Sequence, residues 1–268
     1  MIPKILHYVW FGDKEFGDLE NMCLESWRKY LPDYKIMRWD NSCIEKFDNL
    51  YFKQAIENKK YAFASDYARL KALWEYGGIY VDTDEEVLKP LDDFLDHDFF
   101  MGCQNCGSAK GLNPALVGAT PHNEVIKNLL DVYDDIKFVN DDGTFNLTTN
   151  PAYFGKVMHH IYNVKKMFLE EGRIEFHPNS FIYDCYLFGK RNKTSYATHH
   201  YAGSWKPSWK IEEKLKFRLF GNNYILKKYK KNHDDAEFED NEKEKIMFKI
   251  RTSKRSFFVL LKKSDKEK

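Results

Sequence analysis

The chain has no apolar run approaching the roughly 20 residues that a helix needs to cross a bilayer, so no membrane-spanning helix is expected. Its first residues lead straight into a β-prone stretch without a charged-then-apolar leader, which points to the cytoplasm. Cysteine is sparse: five residues, at 23, 43, 103, 106 and 185, an odd number that reads as reduced thiols. Cys103 and Cys106 have zinc-ligand spacing, with His97 and His122 flanking them, but no second pair follows at finger-like spacing. A loop with incidental thiols is the expectation. Net charge is only +1, which gives no basis for general nucleic-acid affinity, and internal repeats are lacking. What is present suffices for one sizeable α/β core, since 43% of the 268 residues are hydrophobic. Charge is unevenly spread. Residues 205–268 hold 19 basic and 11 acidic residues, net +8, leaving −7 for residues 1–204.

The run Ala64–Pro90 carries the chemistry. Ser65 and Asp66 suit a helix start, because oxygen side chains satisfy free backbone N–H groups. Tyr67, Leu70 and Trp74 recur at helical spacing, and Gly77-Gly78 ends the helix. Ile79, Tyr80 and Val81 form a β-prone run that delivers Asp82, Thr83 and Asp84 to a strand's carboxyl end, where open α/β sheets bind ligands. Alternate residues of a strand share a face, so Asp82 and Asp84 can converge on one cation, and Tyr80 shares their face. Mn²⁺ and Mg²⁺ take oxygen ligands and complete their shell with substrate phosphates. An EF-hand calcium loop needs glycine at its sixth position, where Val87 stands. Glu85 and Glu86 read as added negative potential or solvated turn residues.

Ser65-Asp66-x-x-Arg69, Gly77-Gly78-Ile79-Tyr80 and Asp82-Thr83-Asp84 together resemble the sugar-binding Asp-x-Asp glycosyltransferases of family 32 type. These include bacterial capsule and exopolysaccharide enzymes, yeast Golgi mannosyltransferases and, more distantly, clostridial glucosylating toxins. The opening Ile2–Gly12, with Val9 and Trp10, resembles the family's first strand and loop, Cys23–Trp27 and Pro32–Ile36 its helix and second strand, followed by Trp39-Asp40-Asn41, and His199–Lys206 its closing metal-and-phosphate loop. The similarity spans residues 1 to about 207 and weakens between Gly102 and Tyr196. It implies that transfer depends on Asp66, Arg69, Asp82 and Asp84, with Asp66 on the donor sugar's hydroxyls and Arg69 on the sugar or on Asp66. It implies donor contacts from Val9, Trp10 (packed on the base), Asn41, Ser65, Tyr80, Ser204, Trp205 and Lys206. Either His199 or His200 completes the metal site; in a strand they face opposite ways, so only one is expected to bind.

Downstream, Phe99–Gly102 and Leu116–Ala119 read as strands, Asn123–Asp134 as a helix capped by Asn123, and Tyr153–His160 as another. Gln104, Asn105 and Asn150 are candidates for the acceptor pocket. The expected fold is α/β, a GT-A-type, Rossmann-like domain over residues 1–209 with a mostly parallel sheet, followed by a basic helical extension over 210–268. Within the extension, Ile246–Lys263 reads as an amphipathic helix suited to peripheral contact with an anionic membrane, or to a partner. The resemblance implies a retaining hexosyltransferase that uses Mn²⁺ or Mg²⁺. Its donor would be a nucleoside diphosphate sugar, UDP-linked by default. Its acceptor would be a saccharide or lipid-linked glycan in capsular, exopolysaccharide or lipopolysaccharide synthesis. A non-catalytic nucleotide-sugar or glycan-binding protein of the same fold is the alternative.

Overall fold

The computed structural model describes residues 1–103, 111–164 and 172–202 in full, and beyond them the backbone of four strands between residues 209 and 261. Two units are distinguished, Met1–Ala202 and Gly203–Lys268.

The first unit runs β1 (Ile5–Val9), α1 (Asp18–Tyr30), β2 (Lys35–Trp39), α2 (Leu50–Glu57), α3 (Tyr61–Tyr76), β3 (Gly78–Val81), β4 (Glu85–Val87), β5 (Phe99–Cys103) and β6 (Leu112–Ala119). It continues through α4 (Glu124–Asp134), α5 (Asn150–His160), β7 (Arg173–His177), β8 (Ser180–Tyr183), α6 (Cys185–Phe188) and β9 (Ala197–His199). Seven strands form one sheet in the order β2-β1-β3-β6-β5-β8-β7. β1 pairs in parallel with β2 and β3, and β5 with β8; β6 and β7 pair antiparallel with their neighbours. Five of the seven strands therefore run the same way, which is the mostly parallel α/β sheet expected.

Alternation along the strands divides the core between the two faces of the sheet. His7, Trp39 and Tyr80 lie on the face that α3 covers, where Tyr67, Leu70 and Leu73 pack against Val9, Trp39 and Tyr80. Tyr8, Val81 and Phe100 lie on the other face, against Trp27 and Leu31. Burying one such side chain stabilises by about 1.5–3 kcal/mol.

Three expectations are corrected. Ser65 and Asp66 do not start a helix: α3 begins at Tyr61, and the Ser65 hydroxyl bonds back to the Ala62 carbonyl at 2.7 Å. The buried residues Phe63, Ala64, Tyr67 and Ala68 carry the apolar stripe a full turn further upstream. Asp82 and Asp84 do not sit on one strand, because β3 ends at Val81. A turn closed by the Glu85 N–H on the Asp82 carbonyl at 2.9 Å brings them together instead.

The third correction concerns the C-terminal extension, whose described residues are strands rather than a helix. It forms β10 (Trp209–Leu219), β11 (Asn222–Lys231), β12 (Ile246–Arg251) and β13 (Ser256–Leu261), an antiparallel meander in that order. The amphipathic helix expected at Ile246–Lys263 is two strands paired from Ile246 with Leu261 to Arg251 with Ser256. Leu215, Phe217 and Leu219 alternate with Lys214, Lys216 and Arg218, a period of two that a strand satisfies and a helix does not.

The junction of α3 and β3 needs glycine. Gly77 and Gly78 have φ of +59° and +101°, and a Cβ on Gly78 would lie 2.6 Å from the Ile5 carbonyl oxygen.

Candidate active site

Arg69 organises the site from the middle of α3. Its Nη2 donates to Asp66 Oδ1 at 2.8 Å, and its Nη1 donates to the Pro114 carbonyl at 3.0 Å and lies 3.3 Å from Asp82 Oδ1. The guanidinium sits 4.5 Å from the centre of the Tyr80 ring, and the Tyr80 hydroxyl donates to the same Asp82 oxygen at 2.7 Å. The i, i+3 spacing that could have been a surface ion pair is therefore a buried one, with both side chains at most 13% exposed. Burial pushes the Asp66 carboxyl up to about 7, against the pull of Arg69 and with the charge of Asp82 adding to the rise.

Asp84 faces the last strand of this unit. β4 pairs with β9 so that Glu85 lies opposite His199. His199 Nε2 is 3.2 Å from Asp84 Oδ1, and Asp84 Oδ2 accepts the Ala202 N–H at 2.8 Å. Burial works against the charged form of Asp84, yet the His199 and Ala202 hydrogen bonds hold its carboxyl below the usual range. Asp82, Asp84 and His199 each offer a ligand atom within 4.8 Å of the others. Two carboxylate oxygens and an imidazole nitrogen are a donor set that Mn²⁺ or Mg²⁺ accepts. The fit holds on a second count, because the other ring nitrogen of His199, Nδ1, is buried without a partner among the described residues. His200 instead places Nε2 2.9 Å from Glu86 Oε2, and Arg191 holds Oε1 of the same carboxylate at 2.8 Å.

Glu85 and Glu86 are not solvated turn residues. Glu85 is 0% exposed with both carboxyl oxygens unpartnered among the described residues, and burial pushes it well above the ordinary carboxylate range. No pattern in the sequence marks this position, because an acidic run reads as solvent-facing. Asn113, also buried with its amide unpartnered, escaped sequence reasoning for the same reason: a lone amide carries no signal.

The remaining candidates are more scattered. Val9 is buried in the core on the α3 side. Asn41 Oδ1 accepts the Gly12 N–H at 2.8 Å and pins the loop after β1. Trp10 packs edge-on against Phe16 with ring centres 4.7 Å apart and donates its N–H to the Lys14 carbonyl. Ser65 presents its carbonyl to Arg69 Nε at 3.4 Å. Asn150 is buried, its backbone N–H directed to Asp66 and its amide donating to the Tyr133 hydroxyl at 2.9 Å. Gln104, Asn105, Cys106, Ser204, Trp205 and Lys206 lie outside the described residues.

This is an α/β protein whose paired aspartates, at the carboxyl end of a central strand, meet a histidine from the chain's last strand before Ala202. Residues 17–101 match the family described as "Glycosyltransferase sugar-binding region containing DXD motif". An uncharacterised glycosyltransferase of Acanthamoeba polyphaga mimivirus is 26% identical over 84% of this chain and 91% of its own length. The mannosyl phosphorylinositol ceramide synthase of Saccharomyces cerevisiae is 30% identical over 52% of this chain, which spans only 37% of that protein. The chain is thus similar to glycosyltransferases over most of its length, and residues 17–101 carry its match to the DXD family. Two solved structures are more remote. The PaToxG glycosyltransferase has a TM-score of 0.48 at 21% identity, over 61% of this chain and 71% of its own. A glycosyltransferase involved in glycosylation of the major capsid of PBCV-1 has a TM-score of 0.43 at 12% identity, over 76% and 95%.

Proposed function

We propose that the protein transfers a hexosyl group from a nucleoside diphosphate sugar to a hydroxyl of a saccharide or lipid-linked glycan, with retention at the anomeric carbon and with Mn²⁺ or Mg²⁺ as cofactor. The observation that carries this reading is the convergence of Asp82, Asp84 and His199 beside the Asp66–Arg69 pair. A cation held by Asp82, Asp84 and His199 would neutralise charge developing on the departing diphosphate. The chain's own residues do the rest. Arg69 and the Tyr80 hydroxyl fix the Asp82 carboxylate from two sides, and Asp66 is left to accept hydrogen bonds from sugar hydroxyls. The acceptor oxygen bonds to the anomeric carbon as the bond to the diphosphate oxygen breaks. That oxygen takes the acceptor's proton, so no separate strong base is required.

Relatives in both yeasts are named for mannosyl transfer to inositol phosphoceramide, so GDP-mannose belongs beside the UDP-hexoses among the donors to be tried. The test is a thermal-shift screen of nucleoside diphosphate sugars with and without Mn²⁺. A donor at about 100 times its dissociation constant stabilises the folded state by about 2.7 kcal/mol. Metal-dependent stabilisation with slow release of nucleoside diphosphate supports an enzyme. Stabilisation without release favours the non-catalytic binding protein, and no donor-dependent shift rejects both.

A further inference from the structure

A basic, carboxylate-free stretch borders the metal centre. Residues 185–202 include Lys190, Arg191 and Lys193 and contain no aspartate or glutamate. All three cations are exposed, Arg191 by 62% of its side chain. The loop that carries them, between α6 and β9, is fastened from within. Asn192 Oδ1 accepts the Thr194 N–H at 2.7 Å, and the Asn192 amide donates to the Tyr186 carbonyl at 2.7 Å. The backbone N–H of Asn192 donates to Ser195 Oγ at 2.9 Å. Lys89 brings a fourth cation beside them by donating to the Lys193 carbonyl at 3.0 Å. Charges held at fixed positions lose less conformational freedom on meeting an anion than charges on a free tether.

Two exposed aromatic side chains frame this loop, Tyr186 at 52% and Tyr201 at 49%. Lys190 Nζ lies 5.5 Å from the Tyr186 ring centre, and the Tyr201 ring packs on that of His199 with centres 4.1 Å apart. The His199 N–H reaches the Gly189 carbonyl at 3.4 Å, so the loop is tied to the backbone of a proposed metal ligand. Carboxylates that approach from neighbouring elements are engaged: Glu86 by Arg191 and His200, Asp93 by the Tyr196 hydroxyl. Cations beside exposed tyrosines match a bilayer surface. There phosphate headgroups supply negative charge, and a tyrosine ring sits with its apolar body inward and its hydroxyl in water. A soluble anion would meet the cations but leave the tyrosine rings uncovered.

We propose that the surface formed by Tyr186, Lys190, Arg191, Lys193 and Tyr201 docks on a lipid bilayer bearing anionic phosphate headgroups, at the edge of the metal centre. It uses residues of the unit Met1–Ala202, whereas the sequence pointed to the extension for membrane contact. The inference rests on the reading of the protein as a transferase and narrows its acceptor to the lipid-linked class. A glycan carried on a lipid in that bilayer is brought beside His199 and Asp84, and a soluble saccharide needs no such surface.

The test is co-sedimentation of the full chain, in EDTA and without donor, with vesicles of phosphatidylcholine alone or mixed with phosphatidylglycerol. At about 0.1 M salt, where screening acts over about 10 Å, the mixed vesicles should bind at least about tenfold more tightly than the neutral ones, and about 1 M salt should release the protein. Lys190→Glu combined with Lys193→Glu should weaken that binding at least about tenfold. Both side chains are exposed and the Asn192 and Ser195 hydrogen bonds remain, so the melting temperature should match the parent's. Equal binding to neutral and anionic vesicles, or undiminished binding by the double variant, overturns the proposal. Tighter binding to a single-stranded oligonucleotide, with the same dependence on the two lysines, overturns the assignment to lipid. The thermal shift with Mn²⁺ and donor separates the two readings. If it persists while anionic vesicles fail to bind, only the docking surface falls; if vesicles bind as expected and no donor shifts the melt, only the transfer reading falls.

Discussion

Trp39 donates its indole N–H to Nδ1 of His7 at 3.1 Å. An indole nitrogen can only donate, so Nδ1 must accept and the ring proton sits on Nε2. That nitrogen donates to the Gly77 carbonyl at 2.8 Å, tying the end of α3 to β1 at the start of β3, the strand whose far end leads into Asp82 and Asp84. His7 is fully buried, and burial lowers its pKa to about 4, against the Gly77 hydrogen bond that favours the charged ring.

This relationship predicts acid sensitivity. The unfolded chain takes up a proton at His7 near pH 6.5, while the folded chain resists until about pH 4. Folded stability is therefore lost as pH falls through that window, by up to about 3 kcal/mol from this residue. Urea unfolding at pH values from 7 to 4 should show the loss. In His7→Gln the protein should be less stable at pH 7, with this part of the slope removed. Parallel pH profiles for the two proteins would reject the assignment.

The two aspartates should part company in stability while agreeing in activity. Asp82→Ala and Asp84→Ala should each abolish transfer and Mn²⁺-dependent donor binding. Asp84→Ala removes a carboxylate held by His199 and the Ala202 N–H, and should cost about 1 kcal/mol of metal-free stability. Asp82→Ala takes a partner from the buried Arg69 guanidinium and should cost about 1–3 kcal/mol. Near-normal turnover in both variants would reject the site.

His199 and His200 provide an internal control. His199→Ala should weaken Mn²⁺ binding at least about tenfold, a change of about 1.4 kcal/mol. His200→Ala loses only a surface contact to Glu86, which Arg191 still holds, and should bind the metal as the parent does. Isothermal titration with Mn²⁺ decides between them, and the reverse order would move the ligand to His200.

Gly78→Ala should destabilise by about 1–3 kcal/mol without touching any proposed ligand. It forces a left-handed φ on an L-residue and drives a methyl against the Ile5 carbonyl. Thermal melts are the measure, and a variant as stable as the parent would show that the junction relaxes at no cost.

Much of the site was legible in the sequence because it is local. Asp66 and Arg69 are three residues apart on one helix, and Tyr80, Asp82 and Asp84 follow within a single helix–strand–turn unit. The glycine pair at 77 and 78 announced the break between helix and strand because only glycine tolerates those dihedrals. The sheet's α/β class was legible too, from short β-prone runs alternating with helical periodicity.

What remained open was decided by pairing across the chain. The strand rule said that only one of His199 and His200 could face the metal, but not which. The antiparallel register of β4 with β9 puts the His199 ring nitrogen beside Asp84 and leaves His200 to Glu86. Glu85 shows the same limit in reverse. Its sequence neighbours are acidic, yet its place in β4 against α1 takes it out of water altogether. In the extension, composition alone suggested a basic helix, and inter-strand hydrogen bonding made it a sheet. Sequence by itself determined which residues could do the chemistry, since residue types and short spacings are local properties. Only the tertiary structure decided which of them meet, because burial and register depend on partners more than a hundred residues away.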